Sequence, residues 1–122
     1  MSSEITLNFG LKLAKGNASY LISPFSKSVD FAGARFVSPI QAIGTGSHEA
    51  LNVTDLATAG YFYAINTDAS NFVQIGLDVS ATFYPFAKLL AGQAMLMPAA
   101  VLTLYAKADT ASVNLQYVFL ER

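Results

Sequence analysis

The 122-residue chain is poor in the side chains that most protein chemistry requires. It has no cysteine, no tryptophan and a single histidine, and only 12% of its residues are charged. The absence of cysteine excludes a disulfide framework and any cysteine-based zinc site. A lone histidine leaves few ways to build a catalytic or metal-binding constellation. We therefore expect a non-enzymatic protein that binds no metal and no other cofactor.

The few charges also bear on the partners of the chain. Seven Lys and Arg against eight Asp and Glu give no basic field for phosphates, so no nucleic-acid partner is expected. Apolar residues make up 53% of the chain, which excludes an intrinsically disordered protein. A domain of this length leaves much surface outside its core. Because charged residues are too few to cover that surface, the sequence predicts a homo-oligomer or a subunit of a larger assembly.

One apolar segment, residues 89–106, has about the minimum length of a membrane-spanning helix. Gly92 and Pro98 interrupt it, so two short segments around a turn are the better interpretation, and no membrane partner is expected. The first residues lack the basic and apolar regions of a secretory leader, which predicts that the chain is not a secreted precursor.

Alternating apolar and polar residues predict strands along most of the chain. Period two holds over residues 5–13 and again over residues 112–120, and only residues 86–91 favour a single helical turn. The pattern predicts an all-β fold, an antiparallel β-sandwich or jelly roll of about eight strands. We expect one domain over residues 1–122, with the N-terminal strand, about residues 4–14, docked on a neighbouring subunit.

Residues 61–76 are predicted to form a β-hairpin. Two β-prone runs rich in aromatic residues flank a turn rich in Asn and Asp. In this turn we expect the side chains of Asn66, Asp68 and Asn71 to accept backbone N–H bonds and to fix the register of the strands. The same three residues are the nearest approach to a calcium loop in the chain, but capping of the turn is the favoured interpretation.

The remaining motifs favour structure over chemistry. His48 precedes Glu49, but a metal ion would need further ligands, so we expect a loop histidine at the surface or at a subunit contact. Residues 44–46 are rich in glycine but lack the ending of a phosphate loop, and Pro85 favours an edge strand or a bulge. The candidate interface consists of aromatic residues on two predicted strands: Tyr61, Tyr63, Phe83, Tyr84 and Phe86.

Residues 60–76 resemble a segment of small structural proteins of tailed bacteriophages. In that family a Gly-aromatic strand leads to an Asn-x-Asp-x-x-Asn-aromatic turn. Residues 83–86 together with 91–93 are similar to a second signature of the family, and residues 104–121 are similar to its C-terminal pair of strands. The resemblance extends over about residues 40–122 and is looser before them. Its motifs are structural, and many members of the family have no assigned function.

The resemblance implies a β-sandwich of a phage virion and no chemical activity. Within the virion we expect a capsid decoration (cement) protein that forms a homotrimer and binds the major capsid protein or other virion subunits. Two alternatives stay open: a tail component, either an adaptor or a tail-tip subunit, and a receptor- or glycan-binding β-sandwich module.

Overall fold

The computed structural model describes residues 4–31, 33, 35–54 and 56–121. These residues contain no helix and form eleven strands: β1 Ile5–Lys15, β2 Ala18–Val29, β3 Phe36–Val37, β4 Ile40–Ile43, β5 Glu49–Ala50, β6 Tyr61–Asn66, β7 Val73–Val79, β8 Thr82–Leu89, β9 Ala94–Pro98, β10 Tyr105–Ala108 and β11 Val113–Leu120. Every strand pairing in the described part is antiparallel. The predicted all-β, antiparallel fold is thus confirmed, whereas jelly-roll topology stays a prediction.

The chain divides into two compact units, Met1–Ala32 and Gly33–Arg122. The single domain expected over residues 1–122 stays a prediction. In the first unit, β1 and β2 form a long hairpin whose turn contains Gly16 at a φ of 56°. β2 continues through Pro24, because this proline lies at a register shift and does not end the strand.

The second unit contains two sheets. One has the strand order β5-β10-β7-β8, and the other has the order β3-β11-β6-β9, with β4 also paired to β11. Residues of both sheets belong to one buried cluster, as in a β-sandwich. The β-strand members of this cluster are Ile43, Phe62, Ala64, Val73, Ile75, Leu89, Ala106, Ala108, Val113, Leu115, Tyr117 and Phe119.

β11 is the central strand of the larger sheet. Its alternate residues Val113, Leu115, Tyr117 and Phe119 are all 0% exposed, so the single buried face predicted from period two is confirmed. Phe62 of the neighbouring β6 packs its ring against two of them, with centroids 6.1 Å from Tyr117 and 5.3 Å from Phe119. Aromatic rings therefore fill the centre of the core.

The predicted hairpin over residues 61–76 is wrong. β6 pairs with β9 and β11, whereas β7 pairs with β8 and β10, so the turn between β6 and β7 carries the chain from one sheet to the other. Both sides of β6 are occupied by β9 and β11, and both sides of β7 by β8 and β10, so neither strand has a side left to pair with the other. The helical turn expected at residues 86–91 is also wrong, since β8 continues to Leu89.

β8 is an edge strand and carries a bulge. Ile75 pairs with Ala87 and Gly76 with Pro85, so Phe86 is an extra residue on β8. The interpretation of Pro85 as a mark of an edge or a bulge is confirmed. The bulge brings the two backbones close together: a Cβ atom on Gly76 would lie 2.2 Å from the carbonyl oxygen of Tyr84. Only glycine fits there.

Candidate functional site

One face of the β1–β2 hairpin is almost entirely apolar. Residues directly opposite each other in an antiparallel pair point to the same side, and alternate residues of a strand share a face. The register therefore places ten side chains between Ile5 and Val29 on one face: Ile5, Leu7, Phe9, Leu11 and Leu13 of β1, with Val29, Lys27, Phe25, Ile22 and Tyr20 opposite them on β2. Nine of the ten are apolar.

A bulge in β2 keeps this face continuous along the hairpin. Phe9 pairs with Phe25, and Leu11 pairs with Ile22, so β2 carries one residue more than β1 between these pairs. The Phe9 and Phe25 rings stack with their centroids 5.3 Å apart, which shows that both point to the same side. Without the extra residue, every apolar side chain beyond the bulge would turn to the opposite face of β2.

The end of this face nearer the turn is uncovered. Ile5 and Leu7 are buried, whereas five large side chains farther along are 41–63% exposed: Leu11, Leu13, Tyr20, Ile22 and Phe25. We call these five residues the apolar arm face. A two-stranded hairpin is marginally stable in water unless its apolar side packs on something. The arm face is therefore the clearest candidate for a docking surface.

The opposite face of the hairpin is polar. Asn8 lies opposite Ser26, and Thr6 lies opposite Ser28. Nearer the turn, Lys12 lies opposite Leu21, which is 59% exposed. A hairpin with one apolar and one polar side is built to be covered on one side only.

The aromatic residues predicted as an interface do not form one surface. Tyr61 is only 7% exposed, whereas Tyr63, on the same strand β6, is 38% exposed. The other three lie on β8 of the other sheet, where Tyr84 and Phe86 are 55% and 50% exposed and Phe83 packs on His48. Sequence reasoning found these residues and missed the larger apolar surface of β2. Alternation in residues 18–29 was the available signal, but it changes phase at the bulge between Ile22 and Phe25, so a single period of two does not extend through the strand.

His48 joins a loop to the β7–β8 hairpin. Its Nε2 atom lies 2.7 Å from Oδ2 of Asp78, its ring stacks on Phe83 at 5.2 Å, and the edge of Tyr105 lies 5.4 Å away. The hydrogen bond from His48 is the main cause that lowers the pKa of Asp78. Sequence reasoning expected a surface or contact histidine, whereas the side chain is only 16% exposed. The ring contacts β8 through Phe83 and β10 through Tyr105, so His48 and its hydrogen bond to Asp78 hold the loop in place.

Asn66, Asp68 and Asn71 come together at the crossing between the two sheets. Asp68 Oδ2 accepts hydrogen bonds from the backbone N–H groups of Ser70 and Asn71, which lower the pKa of the Asp68 carboxyl. Asn66 is completely buried, and its side chain donates to the carbonyl oxygens of Asn71 and Leu89. The three side chains thus fix the turn and tie β6 to the end of β8.

The described residues hold no group of three or more His, Cys, Asp or Glu side chains that could bind a metal ion. A depression of about 160 Å³ beside the β8 bulge, lined by Gln74, Pro85, Phe86, Ala87 and Lys88, is smaller than the ~300–1,000 Å³ of small-molecule sites. Within the described part of the chain, no helix is long and apolar enough to cross a membrane.

Comparison with known proteins found no match. No family model, no curated protein and no solved structure matches this chain. The assignment of a role therefore depends on the residues and their geometry.

Proposed function

We propose that this protein is a non-enzymatic structural subunit of a bacteriophage particle, and within the particle a capsid decoration protein. The observation that carries the proposal is the apolar arm face, in which five large apolar side chains are 41–63% exposed on a two-stranded hairpin. In an aqueous environment, such a surface is normally covered by a binding partner. In a symmetric shell, the neighbouring subunits would cover it.

The low charge of the chain supports the same role. A free monomer of this size normally carries about twice the 12% of charged residues found here. The proposal of a phage particle in particular rests on the motifs in about residues 40–122 that resemble those of small structural proteins of tailed phages. We propose a homo-oligomer as the assembled form, with the major capsid protein or other virion subunits as further partners in the virion.

The copy number per particle tests this role. Particles of the phage that encodes the chain are purified, and the chain is quantified by mass spectrometry against isotope-labelled peptides, with the major capsid protein as internal standard. A shell component is present on the order of hundreds of copies, because closed symmetric shells repeat each subunit. A single ring of copies would assign the protein to the tail instead, and complete absence from the particle would overturn the proposal.

A further inference from the structure

We infer that the apolar arm face of one copy is covered by the same face of another copy of this chain. The inference names the partner of the surface on which the proposed function rests, and so depends on that proposal. The occupant follows from three properties of the face: its chemistry, its size and its surroundings.

The chemistry of the face allows it to pack against itself. Leu11, Leu13, Tyr20, Ile22 and Phe25 carry no charge, so two such faces bury no unpaired ion when they meet. The two charged residues on this side of the hairpin, Lys15 and Lys27, lie beyond the two ends of the apolar arm face. An apolar centre with a polar rim is the usual anatomy of a protein interface.

The size of the face suits a homotypic contact. The five side chains expose about 500 Å² in one copy, given that large apolar side chains have about 150–250 Å² each. Two copies together bury about 1,000 Å², which reaches the lower bound for a specific interface. Two hairpins stacked about 10 Å apart would form a small sandwich of their own. Tyr20 stands near the turn, where its hydroxyl can stay in water.

Symmetry favours the same conclusion. Most soluble oligomers are built from identical chains, and a self-complementary patch closes the assembly without leaving free ends. Among the described residues 4–31, β1 and β2 are the only strands and form one two-stranded sheet, so this part of the chain supplies no second layer over its own apolar side. A second copy carries an apolar face of equal area, and it is present wherever the first copy is.

Two leucines make a matched test. Leu11 and Leu21 are both 59% exposed, but Leu11 lies on the apolar arm face and Leu21 on the opposite face, across from Lys12. We compare the full-length wild type with Leu11→Glu and Leu21→Glu by light scattering after size exclusion at micromolar concentration. The wild type and Leu21→Glu should show a multiple of the 13.0 kDa chain mass. Leu11→Glu should shift toward a single chain, with a dissociation constant raised at least about tenfold.

Cross-linking keeps the test decisive even where the glutamate disturbs folding. Because the chain has no cysteine, one introduced thiol can form a disulfide only between copies. Under mild oxidation Leu13→Cys should give a covalent pair of chains, and Leu21→Cys should give much less. A monomeric wild type, or equal effects on both faces of the hairpin, overturns the inference.

The two proposals fail separately. A chain that is monomeric when purified but abundant in phage particles contradicts the homotypic contact and leaves the structural role intact. A chain that associates through the apolar arm face but is absent from particles contradicts the role and leaves the homotypic contact intact.

Discussion

The two compact units of the chain place their apolar residues in opposite ways. In Gly33–Arg122, aromatic and aliphatic side chains from two sheets enclose one another, and Phe62, Tyr117 and Phe119 are completely buried. In Met1–Ala32, the residues of the apolar arm face are equally large but exposed. The difference teaches that the alternating pattern of a strand specifies a buried face without specifying what buries it. In the second unit each sheet covers the apolar face of the other, whereas the apolar arm face of the first unit is exposed.

The largest contrast is expected for the same substitution made in both units. Phe62→Ala removes a ring that is 0% exposed and should lower the free energy of unfolding by about 3–5 kcal/mol. Phe25→Ala removes a ring that is 54% exposed and should cost below about 1 kcal/mol. Urea denaturation followed by circular dichroism at low protein concentration measures both, since dilution minimises the contribution of association. Equal losses would break the comparison.

Two strand glycines next to bulges sharpen the comparison at the level of the backbone. Gly76→Ala places a Cβ atom 2.2 Å from the carbonyl oxygen of Tyr84, so β7 and β8 must separate, at a cost of about 1–3 kcal/mol. Gly10→Ala in the hairpin meets only Pro24, at 3.6 Å, and should change stability little. The midpoints of urea unfolding test this pair. A tolerated Gly76→Ala would show that the bulge of β8 can relax.

Removal of single hydroxyl groups gives a smaller contrast. The Tyr117 hydroxyl lies 2.9 Å from Gln41 Oε1 and 2.8 Å from the Asn52 carbonyl oxygen, either of which can accept its hydrogen, and burial raises the pKa of this phenol. Tyr117→Phe should cost about 1 kcal/mol, because a partly buried hydrogen bond is lost. Tyr20→Phe, at a position 63% exposed, should melt like the wild type. Thermal unfolding of both variants decides whether the hydroxyl of Tyr117 contributes more.

The smallest expected effect is a pH dependence that arises in the second unit. Backbone N–H groups lower the pKa of Asp68 in the folded chain, so its ionised form favours folding. This contribution is complete above the ordinary pKa of an aspartate and is lost as the pH falls through the lowered value. Asp68→Ala should therefore melt below the wild type at pH 7, and the difference should narrow below about pH 4.

A serine in the same turn provides the control for that measurement. Ser70→Ala retains the backbone N–H that Asp68 accepts and should melt like the wild type at every pH. A difference between the wild type and Asp68→Ala that stays constant from neutral to acidic pH would contradict the assignment of the effect to this carboxylate.

Local patterns predicted the sites where neighbours in sequence are also neighbours in space. Asp68 accepts hydrogen bonds from residues two and three positions away, so its capping role could be predicted from the turn composition. The partner of His48 could not, because Asp78 lies 30 residues farther along the chain. Which aromatic residues are exposed was predicted only in part, since aromatic content does not tell which side of a sheet is covered. Tyr61 and Tyr84 are both β-strand tyrosines, yet one is buried and the other exposed.

The sequence by itself determined the all-β class, the buried face of β11 and the bulge at Pro85, because period two and the missing N–H of proline act on the strand that contains them. Only the tertiary structure decided that residues 61–76 cross between sheets. β6 pairs with β9 and β11, and β7 pairs with β10 and with its own hairpin partner β8, so both sides of each strand are occupied and the local hairpin that the turn would have allowed does not form. β1 and β2 did form a local hairpin, but this pairing leaves its apolar arm face exposed. Strand pairing within a sheet satisfies the backbone, but only a second layer can bury the side chains.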